Sequence, residues 1–226
     1  MNAGEIIDTF REDVVDVALP YLWSRDEAWR YLNDAYRMFV RLTGGIQDFT
    51  SAATEVEIVA GDPIGALDPS ILRILSAQKR SDKGGIQLVN YTDLGKTVGT
   101  DYGRPYSLSL DSRIGDVHSG VIGMERNKIR WINVPAADDT VDLIIRRLPL
   151  NTLVNDTDEL TDVDEEHHLA LLHWMEYRAY LKQDADTFDK MKSDACKALF
   201  EGYCRFATGE IERYKHKARS VAYGGI

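Results

Sequence analysis

The chain has 226 residues, 44% of them hydrophobic, and a formal net charge of −10. That length suits one elaborate domain or two small ones, and no apolar run approaches the roughly 18–20 residues a membrane span needs. The acidic balance argues against a general nucleic-acid binder, which needs a basic face, but it does not argue against a wall past which DNA slides without adhering.

The start, Met1 to Glu5, has neither a basic region nor an apolar core behind it. No secretory signal is expected, and the chain is expected to stay in a cytoplasm or in a particle assembled there. Residues 3–17 carry Ile6, Ile7, Phe10, Val14 and Val17 at helical spacing, and Pro20 ends that segment. A second helix has clearer punctuation. Ser24 is its N-cap, Glu27 the capping-box partner, and Gly44 the stop. Ala28, Tyr31, Leu32, Ala35, Phe39 and Leu42 form its apolar face.

From Ser51 the period changes. Glu55 to Ala60 alternates as a strand, and Gly61-Asp62-Pro63 is a turn. Asp68-Pro69 predicts the start of a short helix with Ile71, Leu72 and Ile74 on its buried side. Ser81 to Gly85 is a loop, and Ile86 to Asn90 a strand. Residues 91–120 are rich in Gly, Asp, Ser and Tyr, with a strand expected over Tyr106 to Leu110. Gly120–Met124 and Lys128–Val134 read as a hairpin around Glu125-Arg126-Asn127. Pro135 to Asp139 turns, and Thr140 to Leu148 alternates as an edge or partner strand.

Residues 151–166 hold seven acids and no base. Asp162 and Glu165 match a capping box for the helix that follows. One stripe then runs Leu169, Leu172, Met175, Ala179, widened by Leu171, Trp174 and Tyr180. A break at Gln183 to Asp186 lets Asp186 cap a second helix, with a stripe of Phe188, Met191, Ala195, Leu199, Tyr203 and Phe206. So short a polar loop makes the pair antiparallel, and a bare pair cannot bury both faces of Trp174, Phe200 and Tyr203. Past Arg213 the chain turns basic, through Lys215, Lys217 and Arg219.

The predicted class is α+β. N- and C-terminal helices (1–50 and 151–212) form a small bundle, a β-rich insertion (51–150) lies between them, and an extended C-terminal arm (213–226) follows.

Motifs for chemistry are sparse. Glu165-x-x-His168 is half of a di-iron bundle signature, but a second Glu-x-x-His is missing, and Glu210, Glu212 and His216 do not supply it. Asp156-x-Asp158 opens like a calcium loop without the glycine at position six. Phosphate-loop, dinucleotide and nucleophile-elbow patterns are missing. Cys196 and Cys204, eight apart on one helix, would sit about 12 Å apart, too far for a mutual disulfide. No catalytic, cofactor or metal site is expected. Eleven tyrosines and four tryptophans are more amphipathic surface than one modest core needs, and such residues favour interfaces.

Two stretches together resemble a known family. Leu148 to Val154 (Leu-Pro-Leu-Asn-Thr-Leu-Val), the acidic connector, Glu165 to Tyr180 and Asp184 are similar to the C-terminal half of head-to-tail adaptor proteins of tailed bacteriophages. Trp29, Tyr31, Leu32, Asn33, Ala35 and Tyr36 are similar to the opening of that family, of the tail tubular protein A type in podoviruses. The resemblance implies a ring, usually of twelve copies, beneath the portal protein in the virion. The bundle would form the ring body, the β insertion would meet a tail or nozzle protein, and DNA would pass through the lumen. It also implies a portal-docking arm, placed here on Lys215, Lys217, Arg219, Tyr223 and Ile226. The alternatives are a ferritin-like helical-bundle metalloenzyme, a DNA-binding regulator, or another neck or tail-completion protein.

Overall fold

The computed structural model describes residues 1–93, 113–183 and 187–215. The chain forms two compact units. One joins Met1–Gly45 to the segment from Pro149 onward, and the other is Ile46–Leu148. Helices at both ends and strands in the middle make the fold α+β. The expected strand over Tyr106 to Leu110 and the expected cap Asp186 lie outside the described residues.

The terminal unit contains α1 (Ala3–Asp13), α2 (Arg25–Leu42), α3 (Ala170–Tyr180) and α4 (Lys190–Lys215). The first two begin on full capping boxes, Asn2 with Glu5 and Ser24 with Glu27. The second ends as expected. Gly44 and Gly45 both take positive φ, so the Gly45 amide reaches the Val40 carbonyl (2.8 Å) and the Gly44 amide that of Arg41 (3.4 Å). The first helix is shorter than its sequence period. It stops at Asp13, because the Asp16 carboxylate accepts from the Leu22 and Trp23 amides (2.8 and 3.2 Å) and folds the chain back before Pro20 is reached.

The acidic connector closes the open end of α1. The Ala3 and Gly4 amides have no partner within their helix, and they donate to the carbonyls of Asp158 and Asp156, each at 2.9 Å. Gly4 permits this approach, since a Cβ there would meet the Asp156 Cβ at 2.8 Å. Further on, the Asn33 side chain donates to the Leu153 carbonyl and accepts from its amide, both at 2.9 Å. The connector is thus fastened across α1 and α2.

The start of α3 differs from expectation. Asp162 and Glu165 do not cap it. Residues Glu165–His167 form a single 3₁₀ turn, the helix proper begins at Ala170, and the Glu165 carboxylate lies on the Met1 ammonium at 2.9 Å. For α4 the cap is Asp189, whose carboxylate accepts from the Lys192 amide at 3.0 Å. The core of the unit is aromatic. Phe200 packs on Trp174 (centroids 5.0 Å apart) and Phe39 (6.5 Å), and Trp23 meets Phe10 and Tyr180 edge-on.

The β unit contains β1 (Ile46–Asp48), β2 (Glu55–Ile58), β3 (Ile64–Ala66), β4 (Ile71–Lys79), β5 (Gln87–Asn90), β6 (Ile114–Gly115), β7 (Ser119–Ile122), β8 (Lys128–Trp131), β9 (Val134–Pro135) and β10 (Asp139–Arg147). Expected as an edge or partner strand, β10 is the hub. It pairs antiparallel with β1 and β2 at successive positions along one edge and with β4 along the other. Its Val141, Leu143 and Ile145 point inward, onto Val56, Ala77, Ile129 and Trp131. A second sheet runs β3-β8-β7-β5, with β5 and β7 parallel, and β6 pairs β9. The expected hairpin is there, with Gly120 facing Trp131. Gly65 and Gly120 give room to the Trp131 ring. A Cβ at either would lie within about 3 Å of it.

The helix expected from Asp68-Pro69 is instead β4. Two bulges interrupt its pairing with β10, skipping Leu75 and Leu72, so Ile71, Ile74 and Ala77 face the core three residues apart. That spacing mimics a helical period on a strand.

Candidate interaction surface

At 26 residues against 11, α4 is about 39 Å long and overhangs α3, which is about 16 Å. Ser193, Phe200, Cys204 and Ala207 are buried and mark the side that meets the bundle. Met191, Ala195, Leu199 and Phe206 project from the other side, their mean direction about 145° away when each residue turns the helix by about 100°. Their exposure is high: 81% for Met191, 58% for Leu199 and 57% for Phe206. Phe188, just ahead of the helix, is 53% exposed.

This corrects the expected stripe. Phe188, Met191, Ala195, Leu199 and Phe206 do not line the hairpin core. Only Tyr203 among the six turns inward, with its hydroxyl 3.0 Å from His167 Nδ1. Leu169 of the first stripe is exposed as well, while Leu172, Met175 and Ala179 are buried. The helix carries two apolar faces on opposite sides, and the chain covers one.

A second apolar patch follows α1. Val15, Val17, Leu19, Tyr21 and Leu22 are all exposed, Val15 and Leu19 to about 80%. Val17, expected on the helix, is on this loop. The loop is nonetheless held firmly. Arg11 and Asp16 form a buried ion pair at 2.9 Å, and Arg11 also donates to the Trp23 carbonyl at 3.1 Å. The Arg11 guanidinium stacks 3.8 Å from the Tyr21 ring. Val15 takes φ of 59°, a region a β-branched residue rarely enters, which shows how strongly the surrounding contacts fix the backbone.

A third feature is an open groove of about 560 Å³ along α2, lined by Trp29, Arg30, Asn33, Arg37, Leu153 and Val154. It holds Trp29 half-exposed, whereas Trp23, Trp131 and Trp174 are buried.

The residues of the half-signature for metal go separate ways. Glu165 is exposed on the Met1 ammonium, and His168 is buried with Nε2 2.9 Å from the Val163 carbonyl. The Asp156 carboxylate pairs with Arg25, and Asp158 accepts from the Val154 and Asn155 amides. Asp164, Glu166 and His167 do bring ligand-type atoms within 4.8 Å of one another among the described residues. Two of these are exposed acids, and the His167 ring is held between Phe39 and Tyr203. Burial pushes the Cys196 and Cys204 thiols up to about 12, so neither is a nucleophile at neutral pH.

Of the expected arm, Lys215 is the last described residue of α4; Lys217, Arg219, Tyr223 and Ile226 lie outside the described residues. Among the described residues no helix is long and apolar enough to cross a membrane.

Comparison with known proteins gives one finding. A family model described as the SU10 adaptor protein matches residues 1–219. No curated protein matches the chain.

Proposed function

The chain belongs to the SU10 adaptor protein family, a phage head–tail adaptor family, and on that premise we propose that it forms a ring beneath the portal that links capsid to tail. It is a phage adaptor protein, structural rather than enzymatic by family. The observation that carries the finer reading is α4, apolar on two opposite sides with cover for one. A helix of that kind is covered by something outside its own subunit. A ring of copies, twelve by the family resemblance, supplies the cover. The acidic body suits a lumen through which DNA passes without sticking.

The roles divide by unit. The helical unit forms the ring body in the virion, and the β unit meets a tail or nozzle protein. The basic end from Lys215 through Lys217 and Arg219 to Tyr223 and Ile226 docks on the portal. As a positive terminus on an acidic body, it favours an acidic partner.

Deleting residues 216–226 tests the docking. The helical unit should keep its thermal midpoint, because α4 up to Lys215 retains its buried face, while co-sedimentation with portal rings should be lost. Undiminished sedimentation with the portal would remove the arm assignment. Retained binding to a tail component, with no portal binding by the intact chain, would move the protein one layer down the neck.

A further inference from the structure

The turn ahead of α3 gathers a buried imidazole and two carboxylates of the helical unit. We propose that Asp164, Glu166 and His167 hold one divalent cation of the zinc kind. The site is one residue out of step with the Glu165-x-x-His168 half-signature, and it does not depend on whether copies form a ring.

Tyr203 fixes the tautomer of His167. Its hydroxyl lies 3.0 Å from His167 Nδ1 and 3.3 Å from the Glu166 carbonyl oxygen. A carbonyl only accepts, so the assignment that satisfies both contacts gives the hydroxyl hydrogen to Glu166 and has Nδ1 donate to the hydroxyl oxygen. In the neutral ring Nε2 is then a bare lone pair. The ring is held in this orientation. His167 is 4% exposed, with ring centroids 5.4 Å from Phe39 of α2 and 5.8 Å from Tyr203 of α4.

Nε2 faces oxygen. Glu166 Oε1 is 3.7 Å away, beyond hydrogen-bond reach, and Asp164 adds another carboxylate, so that the ligand atoms of the three residues lie within 4.8 Å of one another. Among the described residues neither carboxylate accepts a hydrogen bond. Asp164 heads the 3₁₀ turn without capping it through its side chain, and the Glu166 carboxylate meets only the imidazole. The neighbours are committed elsewhere, Glu165 to the Met1 ammonium and His168 Nε2 to the Val163 carbonyl. Three acceptors therefore converge with no donor between them, and a cation in that space satisfies all three.

Ligands about 2.1 Å from a tetrahedral ion stand about 3.4 Å apart, close to the separation of Nε2 from Oε1. Asp164 is exposed, so its side chain is free to close the remaining distance. One imidazole with two carboxylates is a zinc donor set that leaves a fourth position for water, whereas magnesium and calcium favour shells of oxygen alone. The effect is mechanical. His167 reaches both α2 and α4, so an ion here braces the turn against the bundle.

Calorimetric titration of metal-stripped, full-length protein with zinc chloride tests this. One zinc per chain should bind, and the thermal midpoint should rise with zinc concentration. His167 is buried and its replacement disturbs the core, so the exposed carboxylates carry the test. Asp164→Asn and Glu166→Gln should each melt like the parent without metal and lose the zinc-dependent rise, while Glu165→Gln should keep it. Tyr203→Phe removes the partner of Nδ1 and should weaken zinc about 10- to 100-fold. An absence of saturable binding would overturn the proposal, and so would zinc binding that survives both Asp164→Asn and Glu166→Gln. Magnesium or calcium binding as tightly as zinc would show that the imidazole takes no part, and would overturn it too.

Discussion

A carboxylate at Leu172 should unfold the helical unit, whereas the same carboxylate at Leu199 should leave it standing. Leu172 is 5% exposed, on the side of α3 that also buries Leu171 and Met175. Leu172→Asp removes about 1.5–3 kcal/mol of apolar burial. It also puts a carboxylate into a buried position, which costs several kcal/mol more or forces the group to stay protonated. Together these approach the whole stability of a typical domain, about 5–15 kcal/mol. Leu199 is 58% exposed on the outward ridge, so Leu199→Asp should change folding stability by no more than about 0.5 kcal/mol. The difference would appear elsewhere, as loss of assembly on the portal. Urea unfolding followed by far-UV circular dichroism reads the first effect, and co-sedimentation reads the second. Equal loss of stability in the two variants would mean that the ridge is part of the folded core.

The second large effect belongs to the β unit. Asp48 and Arg147 form an ion pair, Nε to Oδ2 at 2.5 Å, with both side chains nearly buried. The Asp48 carboxylate also accepts from the Thr50 and Ser51 amides at 2.9 and 3.1 Å. Burial alone would raise its pKa. The hydrogen bonds from Ser51, Thr50 and Arg147 outweigh burial and hold it well below the usual carboxylate range. A pKa lowered by folding gives stability that is complete above the ordinary aspartate value of about 3.9 and disappears as pH falls toward the folded value. Arg147→Met removes the cation and leaves the carboxylate only its hydrogen bonds, and should cost about 3–5 kcal/mol at neutral pH. The double change Asp48→Asn with Arg147→Met should recover much of that. Amide exchange along β4 and β10 measures it, since about 3 kcal/mol corresponds to roughly a hundredfold loss of protection where exchange follows unfolding. Unchanged protection in Arg147→Met would show that the pair contributes nothing.

Local punctuation made much of the architecture readable. The same three-residue spacing occurs at Asn2–Glu5, Ser24–Glu27 and Asp162–Glu165, and it caps a helix at the first two. At the third the chain makes a 3₁₀ turn and starts its helix five residues after Glu165, which spacing cannot reveal. The reading of Asp68 to Ile74 as a helix failed because bulges in β4 gave a strand an apolar period of three. The hub position of β10 was hidden for a different reason. Alternating burial tells which side chains face the core, but not how many strands share the backbone.

The ridge on α4 shows the same limit from the other side. Phe188, Met191, Ala195, Leu199 and Phe206 form a perfectly good amphipathic stripe, and so do Ser193, Phe200, Cys204 and Ala207 once small residues are allowed. Periodicity marks faces and cannot say which one the same chain will cover. The larger stripe invites assignment to the core, yet the packing chose the smaller one, because Ser193 and Ala207 let α4 approach the bundle closely. The loop after α1 misled in another way, since Val14 and Val17 continued the helical period past the point where the helix stops. Its signal was a run of apolar residues around a proline, and its rigidity came from a buried ion pair that only the folded chain brings together.

Single-particle imaging of the protein assembled on its portal is the most direct test. A closed ring should appear with the portal on one side, each copy's α4 lying against the next copy, and Met191, Leu199 and Phe206 out of solvent. A single subunit bound alone, or a ring in which that helix face still looks onto water, would contradict the account.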